Sequence, residues 1–302
     1  MNDAGMDAHT LRAFGVTDPA PLGEGGEGRV YAYGDHQVIK IYKKTNLEYL
    51  QSMRRVQDAL AWSSLPYDIP RILDIGCVDG VYYTIEKRLA GRSLVRLFPT
   101  LSPTDQLWTL EAYFDALQSL GEVTMPDLPF GQVITSPGQM TRTSWRDYLI
   151  DKPDQRVAYS SAWLHASIAE LDDTIGDFRD AVTALFGHVG KRLVHGDYCP
   201  DNVLMTDDRR VSAIIDFSAH TVVGDFRMDV AGAIIFLEVF SGFEPDHGRH
   251  LRRIAIARYG EDVEPYLALY RVFYGMYYAD SYEYDRNLYD WCVRNITTTR
   301  LR

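Results

Sequence analysis

Three polar side chains on one stretch of the chain are of the types that phosphoryl transfer requires. Asp197 and Asn202 lie five residues apart in the run HGDYCPDN, and Asp216 follows in the apolar run AIIDF. In this chemistry a carboxylate orients and deprotonates the attacking hydroxyl, and oxygen ligands hold Mg²⁺. Because Mg²⁺ keeps water and phosphate oxygens in its shell, one amide and one carboxylate are sufficient protein ligands. The stretch therefore supplies groups of both kinds.

A glycine-rich run lies near the start of the chain. It reads GEGGEGRV from Gly23 to Val30, which has the spacing GxGxxGxV. Glycines have no Cβ, so their backbone N–H groups can approach a phosphate chain. The run continues into a predicted strand and not a helix, so it does not fit a dinucleotide-binding turn, and it lacks the GK[ST] of a Walker loop. This context favours a glycine-rich hairpin over ATP.

A single lysine, Lys40, interrupts the apolar run VIKIY. Burying an ammonium group is costly unless it is paired. Taken alone, a lysine that points outward from a half-buried strand would be the favoured interpretation. Lys40 comes twelve residues after Gly28, on the next strand of the predicted hairpin. This position favours a cation that neutralises the α- and β-phosphates of ATP.

Apolar patterning predicts the elements that position these groups. Short runs rich in Val, Ile and Tyr predict strands at residues 28–33, 37–42, 71–76 and 81–89. Apolar residues at helical spacing predict a helix at residues 45–62, capped by Thr45 or Asn46. After Gly91 the pattern is mostly helical, apart from a β-rich island from Leu193 to Phe217.

This order of elements predicts an α+β chain with two lobes. We expect a small antiparallel sheet plus one helix in residues 1–90, as a nucleotide-binding lobe. We expect residues 91–302 to form a larger, mostly helical lobe for catalysis and substrate binding, with a cleft between the two.

The run HGDYCPDNVL followed by IIDF resembles the aminoglycoside phosphotransferase family, a branch of the protein-kinase-like fold. The resemblance covers nearly the whole chain, from the glycine loop and the strand lysine to the IDF motif. It implies a bilobal kinase-like fold that uses ATP and Mg²⁺. It also implies that Asp197 is the catalytic base and that Asn202 and Asp216 ligate the magnesium ion.

The same resemblance implies a nucleotide site. It assigns the phosphates to Lys40 and to the glycine loop, whose residues are Gly23, Gly25, Gly26, Gly28 and Val30. It makes residues 83–88 the hinge between the lobes. There the carbonyl of Glu86 and the N–H of Arg88, or the same pair of groups shifted by one residue, meet the adenine edge.

The family usually pairs its lysine with a glutamate on the first helix. Here the acids of that helix are Glu48 and Asp58, and we assign Glu48 as the partner. Counting back from Pro70, the expected place falls near Val56 or Gln57, and neither residue is acidic. The possibility that Lys40 lacks a helix carboxylate therefore stays open.

A second family motif, GDPxxD, is GDFRMD here, with Phe226 in place of proline. The resemblance implies that its final residue, Asp229, anchors the catalytic loop by accepting hydrogen bonds from backbone N–H groups around His195. We expect His195 to pack and to form hydrogen bonds in this loop, and not to act as a general base.

Several features favour a small acceptor over a protein substrate. Gly196 stands where eukaryotic protein kinases usually carry arginine, only seven residues separate Asp216 from Gly224, and no APE motif follows. The net charge of −11 is compatible with a cationic substrate and argues against nucleic acid, which needs clustered Lys and Arg. Many acidic proteins, however, owe their charge to solubility alone.

The C-terminal region is dense in aromatic residues with acids among them. Helical spacing favours a core role for the aromatic stripe, whereas carboxylates beside aromatic faces would suit a polycationic, sugar-like substrate. The aromatic residues are Tyr270, Phe273, Tyr274, Tyr277, Tyr278, Tyr282, Tyr284 and Tyr289, and the acids are Asp280, Glu283, Asp285 and Asp290.

We therefore expect a kinase that phosphorylates a hydroxyl of a small cationic molecule, such as an aminoglycoside or a related antibiotic. The alternatives are a kinase of choline, homoserine or a sugar, a nucleotide-binding module without catalysis, and a protein kinase. The chain has no apolar run of 18 residues and no signal-like N-terminus, and its three cysteines are widely spaced. We expect a cytoplasmic protein without a membrane or obligate protein partner.

Overall fold

The computed structural model describes residues 3–16, 20–61, 63–136 and 138–301. Its N-terminal part contains a helix, a five-stranded antiparallel sheet in the order β1-β2-β3-β5-β4, and a second helix between β3 and β4. The elements are α1 (Asp3–Ala13), β1 (Gly23–Glu24), β2 (Gly28–Tyr33), β3 (Gln37–Tyr42), α2 (Leu47–Ala61), β4 (Ile72–Val78) and β5 (Val81–Lys87).

The predicted strands of this sheet are confirmed. Strands β2 and β3 have the predicted bounds, and β4 and β5 differ from the predicted ranges by one or two residues at three of their four ends. The predicted helix is confirmed as α2, with Asn46 as its cap, because Asn46 Oδ1 accepts the N–H of Tyr49 at 2.9 Å. Trp62, the last residue of the predicted helix, lies outside the described residues.

Helix α1 was not expected from the sequence. Its Leu11 is fully buried against Tyr31, Ile39 and Ile41 of the sheet. Asp7 accepts hydrogen bonds from the Tyr31 hydroxyl at 2.6 Å and from the Arg29 guanidinium at 3.0 Å. Polar contacts of Asp7 and His9, together with Leu11, attach the helix to the sheet, and this is too little apolar periodicity for sequence patterning to detect.

The rest of the chain is mostly helical, as predicted, and it carries two small sheets in the orders β11-β10-β6 and β8-β7-β12-β9. The strands are β6 (Arg92–Ser93), β7 (Phe130–Gln132), β8 (Thr141–Arg142), β9 (Arg192–Val194), β10 (Val203–Met205), β11 (Val211–Ile214) and β12 (Val222–Gly224). The helices are α3 (Leu94–Leu97), α4 (Pro103–Gly121), α5 (Trp145–Ser167), α6 (Leu171–Leu185), α7 (Arg227–Ile235), α8 (Pro245–Tyr259), α9 (Glu264–Tyr277) and α10 (Arg286–Thr298). Within the described ranges, no helix combines the length and the apolar character needed to cross a bilayer.

Backbone hydrogen bonds connect the N-terminal sheet region to the helical part. Asp68, just before β4, donates its N–H to the carbonyl of Ser212 at 2.9 Å and accepts the N–H of Ile214 at 3.1 Å. The Ser52 hydroxyl of α2 accepts the N–H of Thr135 at 2.9 Å. These bonds fix the sheet and α2 against the β10–β11 hairpin and the segment after β7, and Lys40 of β3 lies 3.8 Å from Asp216, just after β11.

Gly28 is a position where the fold requires glycine. A Cβ there would lie 2.0 Å from the carbonyl oxygen of Ile41 on the paired strand β3. We expect Gly28→Ala to lower the free energy of unfolding by about 1–3 kcal/mol, because the two strands must separate to admit the methyl group. Chemical denaturation of the two purified proteins measures this difference.

The control for this prediction is Gly26→Ala in the same loop, where an added Cβ meets no atom within 4 Å. We expect its unfolding free energy to match that of the wild type within about 0.5 kcal/mol. Equal stability of both variants would contradict the proposed strand contact.

Candidate active site

The catalytic loop after β9 is attached to α7 by a buried carboxylate. Asp229 accepts the N–H of His195 at 2.7 Å through Oδ2 and the N–H of Gly196 at 2.8 Å through Oδ1. Burial raises the pKa of Asp229 to about 6, so the group is ionised at neutral pH. The predicted anchoring contact is confirmed.

His195 has the hydrogen-bonding role that the sequence predicted. The side chain is fully buried, its Nε2 donates to the carbonyl of Ile215 at 2.8 Å, and its Nδ1 accepts the N–H of Asp197 at 3.3 Å. Both ring nitrogens are therefore used inside the protein, and neither is free to take a proton from a substrate.

Asp197 lies at the end of this loop with both carboxylate oxygens engaged. Oδ1 accepts the Tyr278 hydroxyl at 3.0 Å, and Oδ2 accepts Nδ2 of Asn202 at 3.1 Å. Burial raises the pKa of Asp197 above its usual value, while His220 and the Tyr278 hydrogen bond oppose that rise. The group is thus a carboxylate held in one orientation and made more basic by its surroundings.

Asn202 and Asp216 lie on neighbouring segments next to Asp197. The N–H of Ile215 donates to the carbonyl of Asn202 at 2.9 Å, which draws the two segments together. Since Nδ2 of Asn202 donates to the carboxylate and carbonyl of Asp197, its amide oxygen is the atom left to accept other partners. Asp216 is partly exposed and has a φ of +67°, an uncommon backbone conformation for a non-glycine residue.

This pair suits magnesium better than a transition metal. Both candidate ligand atoms are oxygens, which Mg²⁺ prefers, and only two come from the protein. Across the described ranges there is no cluster of three or more His, Cys, Asp or Glu that could hold a metal without such help. The residues therefore fit a magnesium ion that takes its remaining ligands from phosphates and water.

Lys40 extends from β3 towards Asp216, and the distance from its Nζ to Asp216 Oδ1 is 3.8 Å. A nearer carboxylate, Glu27 of the glycine loop, lies 2.8 Å from the same Nζ through Oε2. The prediction that Glu48 is the partner of Lys40 is wrong. Glu48 is exposed in the first turn of α2, whereas the face of α2 that meets the sheet region presents Tyr49, whose hydroxyl donates to Oε1 of Glu27.

The glycine loop has open space where a phosphate chain would lie. Strand β1 pairs with β2, and the N–H of Gly25 donates to the carbonyl of Gly28 at 2.9 Å, which closes a hairpin. A Cβ at Gly23, Gly25 or Gly26 would meet no atom within 4 Å. The first three glycines thus leave the loop accessible, whereas Gly28 is explained by strand packing.

The predicted adenine contacts at the hinge are not available in the expected register. The N–H of Arg88 donates to the carbonyl of His36 at 2.9 Å. Glu86 lies inside the sheet, paired with Val38 on one side and Ile72 on the other. The prediction allowed a shift of one residue, and the occupied N–H of Arg88 removes the register in which Glu86 and Arg88 form the pair.

Gly196 has no space for a side chain. Its φ is +79°, and a Cβ would lie 2.0 Å from the carbonyl oxygen of His220. An arginine, which protein kinases usually carry at this point, cannot be placed here without moving the segment that follows Asp216.

The C-terminal aromatic stripe is mostly core. Tyr270, Phe273 and Tyr274 are fully buried, and Tyr270 donates to Asp225 at 2.8 Å. The stripe ends in Tyr278, which contacts Asp197 and lies 3.5 Å from Nδ1 of His220. Tyr278, directly after the last residue of α9, therefore contacts Asp197, whereas the earlier aromatic residues of α9 pack in the core.

Three of the four acids of this region already have protein partners, and the fourth, Asp290, is exposed. Asp280 forms an ion pair with Arg156 of α5 at 2.5 Å, Glu283 accepts the Tyr159 hydroxyl at 3.1 Å, and Asp285 caps α10. Arg156 also donates to the carbonyl of Tyr277 at 2.7 Å. Helix α5 and the segment after α9 therefore lie together on one side of Asp197, and this side carries both positive and negative side chains.

Sequence reasoning missed Glu27 and Tyr49 as site residues and left Tyr278 among many aromatics. Glu27 was visible in the glycine run, but the variable positions of that run gave no reason to assign it a partner. The signal that could have found it is the absence of an acid on the buried face of α2.

Comparison with known proteins identifies relatives of this chain. A model of the phosphotransferase enzyme family matches residues 18–270. An aminoglycoside 3'-phosphotransferase of Streptomyces ribosidificus is 23% identical over 248 residues, which cover 79% of this chain and 87% of the relative. A second, from Streptomyces fradiae, is 25% identical over 196 residues, which cover 64% of this chain and 66% of the relative.

Solved structures share the fold. The streptomycin–ATP ternary complex of APH(2'')-IIa aligns with a TM-score of 0.63 and 18% identity, covering 100% of this chain and 98% of the other. The GDP and kanamycin complex of APH(2'')-IIIa aligns with a TM-score of 0.66 and 16% identity, covering 98% of each chain. The bilobal kinase-like fold predicted from the sequence is confirmed.

The Tyr278 hydroxyl is expected to tune the carboxylate that it contacts. A donated hydrogen bond favours the ionised form, so Tyr278→Phe should raise the pKa of Asp197. The acidic limb of the pH profile of phosphoryl transfer should then move to higher pH. Steady-state kcat measured as a function of pH tests this shift.

Tyr277→Phe is the matched control, because Tyr277 lies next in the chain and its hydroxyl has no hydrogen-bond partner in the described part of the structure. We expect its acidic limb to coincide with that of the wild type. A shift to lower pH in Tyr278→Phe would contradict the assigned direction.

Proposed function

We propose that this chain, which belongs to the phosphotransferase enzyme family, transfers the γ-phosphate of ATP to a hydroxyl of an aminoglycoside-like cationic molecule. The observation that carries the proposal is the contact series from Lys40 to Asp216 and from Asn202 to Asp197. These contacts join a cation suited to phosphates, two oxygens suited to Mg²⁺ and a carboxylate suited to act as a base.

The chemical step follows from the position of Asp197. The acceptor hydroxyl would donate a hydrogen bond to the carboxylate of Asp197 and lose its proton there as the new oxygen–phosphorus bond forms. The bond between the γ-phosphorus and the bridging oxygen breaks at the same time, and ADP leaves. Hydrogen bonds from Tyr278 and Asn202 hold the carboxylate in the orientation that this transfer needs.

The nucleotide groups are assigned to residues on both sides of the cleft. Lys40 and the backbone of the glycine loop would bind the phosphates. The amide oxygen of Asn202 and the carboxylate of Asp216 would hold Mg²⁺, which would neutralise charge at the transferring phosphate. Residues 1–90 would thus carry most of the nucleotide and residues 91–302 the acceptor.

Adenine recognition is proposed one residue later than the sequence indicated. The N–H of Arg88 is occupied by His36, whereas the N–H of Leu89 has no hydrogen-bond partner within the part of the chain that is described. We assign the donor to Leu89 and the carbonyl acceptor to Lys87, which keeps the two-residue spacing that the resemblance implies.

The acceptor class is supported by the relatives and by charge. Two relatives are named aminoglycoside 3'-phosphotransferases, and the net charge of −11 favours a cation. A kinase of a metabolite of the choline, homoserine or sugar type is the second candidate. It is favoured by the Arg156–Asp280 ion pair, which leaves fewer free carboxylates beside Asp197 for a polycation. A cytoplasmic location is proposed from the use of ATP and the three free thiols.

Asp197→Ala tests the assigned base. We expect transfer to fall by about 10²–10⁴-fold, because the acceptor loses the group that orients and deprotonates it. Binding of ATP, measured by calorimetry, should persist, because Lys40 and the glycine loop are unchanged. Transfer is measured by ADP release over a panel of aminoglycosides, choline, homoserine and sugars, with mass spectrometry of the product.

Asp201→Ala in the same loop is the control, since Asp201 is exposed and forms no side-chain hydrogen bond to any described residue. It should retain transfer within about twofold. Turnover by Asp197→Ala at the wild-type rate would remove the assigned role, and the absence of any phosphorylated acceptor with the wild type would remove the proposed acceptor class.

A further inference from the structure

The helix carboxylate that normally positions the lysine of this fold is absent here, and the glycine loop supplies a substitute. We propose that Glu27 is the positioning residue of Lys40 and that Tyr49 holds Glu27 in place. The inference rests on the proposed function, because it concerns the binding of the ATP phosphates. Glu27 contacts Lys40 Nζ at 2.8 Å through Oε2, and the Tyr49 hydroxyl donates to Oε1.

Helix α2 cannot provide the carboxylate itself. The two positions where it would be expected are Val56, which packs in the core, and Gln57, whose Oε1 accepts the N–H of Ile72 at 3.0 Å. Both side chains therefore hold the helix against the sheet. Tyr49 is longer than a glutamate and reaches past the helix to the loop, which accounts for the contact with Glu27.

The surroundings of Lys40 require a counter-ion at this place. Its side chain is only 17% exposed, and its Nζ lies 4.9 Å from the centre of the Tyr42 ring. Burial alone would lower the pKa of Lys40, but Tyr42, Glu27 and Asp216 outweigh it, and the pKa lies well above its usual value. Asp216 is 3.8 Å away and is assigned to the metal, and Glu86 acts on the lysine through its charge without a hydrogen bond, so Glu27 is the carboxylate in hydrogen-bond contact with Lys40.

The backbone of Glu27 is fixed as well as its side chain. Its carbonyl accepts the N–H of Lys43 at 2.8 Å, immediately after β3. One residue thereby connects the phosphate-covering loop, the end of the lysine strand and α2. Nucleotide binding should depend on Glu27 through the lysine position, and not through a direct contact between its carboxylate and a phosphate, because two anions would repel each other.

The experiment compares four variants of the full-length protein with the wild type, namely Glu27→Ala, Glu27→Gln, Tyr49→Phe and Glu24→Gln. Affinities for ATP and ADP are measured by calorimetry, which needs no acceptor, and the KM for ATP is measured with the acceptor that the panel identifies. Glu24 is the matched control, because it lies in the same loop but pairs with Arg29 and Lys43.

We expect Glu27→Ala to weaken ATP binding by about 10–100-fold, the range for losing a charge-assisted hydrogen bond. Glu27→Gln, which keeps the shape but not the charge, should weaken it less, and Tyr49→Phe by about two- to tenfold. Glu24→Gln should stay within about twofold of the wild type. If Glu27→Ala does not fold, Glu27→Gln and Tyr49→Phe carry the test.

A comparison of kcat with the KM for ATP separates positioning from general structural damage. Loss of the partner of Lys40 acts on ATP binding, so Glu27→Gln should raise the KM for ATP more than it lowers kcat. A partly misfolded protein would instead show a lower kcat with an unchanged KM, and Glu24→Gln should leave both constants unchanged.

Tighter ATP binding by Glu27→Ala or Glu27→Gln would overturn the proposal, because it would make Glu27 a competitor of the phosphates for Lys40. Unchanged affinity together with an unchanged KM for ATP would overturn it as well. These affinities decide the matter even if the wild type phosphorylates no acceptor in the panel, so a failed acceptor assignment is distinguishable from a failed role for Glu27.

Discussion

The two hydrogen bonds that Asp229 accepts from the catalytic loop are the constraint on which the site depends. A buried carboxylate is stable only when donors satisfy it, and here the donors are backbone N–H groups of His195 and Gly196. The loop is thereby fixed to α7 two residues before Asp197. From that fixed point the ring of His195 reaches the carbonyl of Ile215, so the segments before and after the β10–β11 hairpin are held in one geometry.

Much of the fold was predictable because its strands have strong local signals. Strands β2 and β3 are rich in Val, Ile and Tyr and flank a short turn, and their bounds were obtained correctly. Helix α1 escaped prediction because Leu11 and polar contacts attach it, and no apolar stripe marks it. The hinge was predicted with its register open by one residue, because the hydrogen bond from the N–H of Arg88 to the carbonyl of His36 is a non-local contact that no local pattern encodes.

The residues of the candidate active site also fall into two groups, those that sequence motifs locate and those that only the structure locates. Asp197, Asn202 and Asp216 could be found because their roles demand particular residue types at particular spacings, and the structure brings them together. Glu27 could not be found in this way, since a carboxylate that holds a lysine can come from any element near it. Identifying Glu27 required its distance to Lys40 and the observation that Gln57 of α2 is already bonded to the backbone of Ile72. Motifs thus locate reacting groups, whereas supporting groups are set by tertiary contacts.

The crowding at Gly196 has a consequence for how such an enzyme can be controlled. Because the carbonyl of His220 occupies the space of a Cβ, no single substitution can install a receptor for a phosphorylated segment at this point. A switch of the protein-kinase type, which works through an arginine at this position, therefore cannot operate here, because a backbone oxygen lies where that side chain would begin.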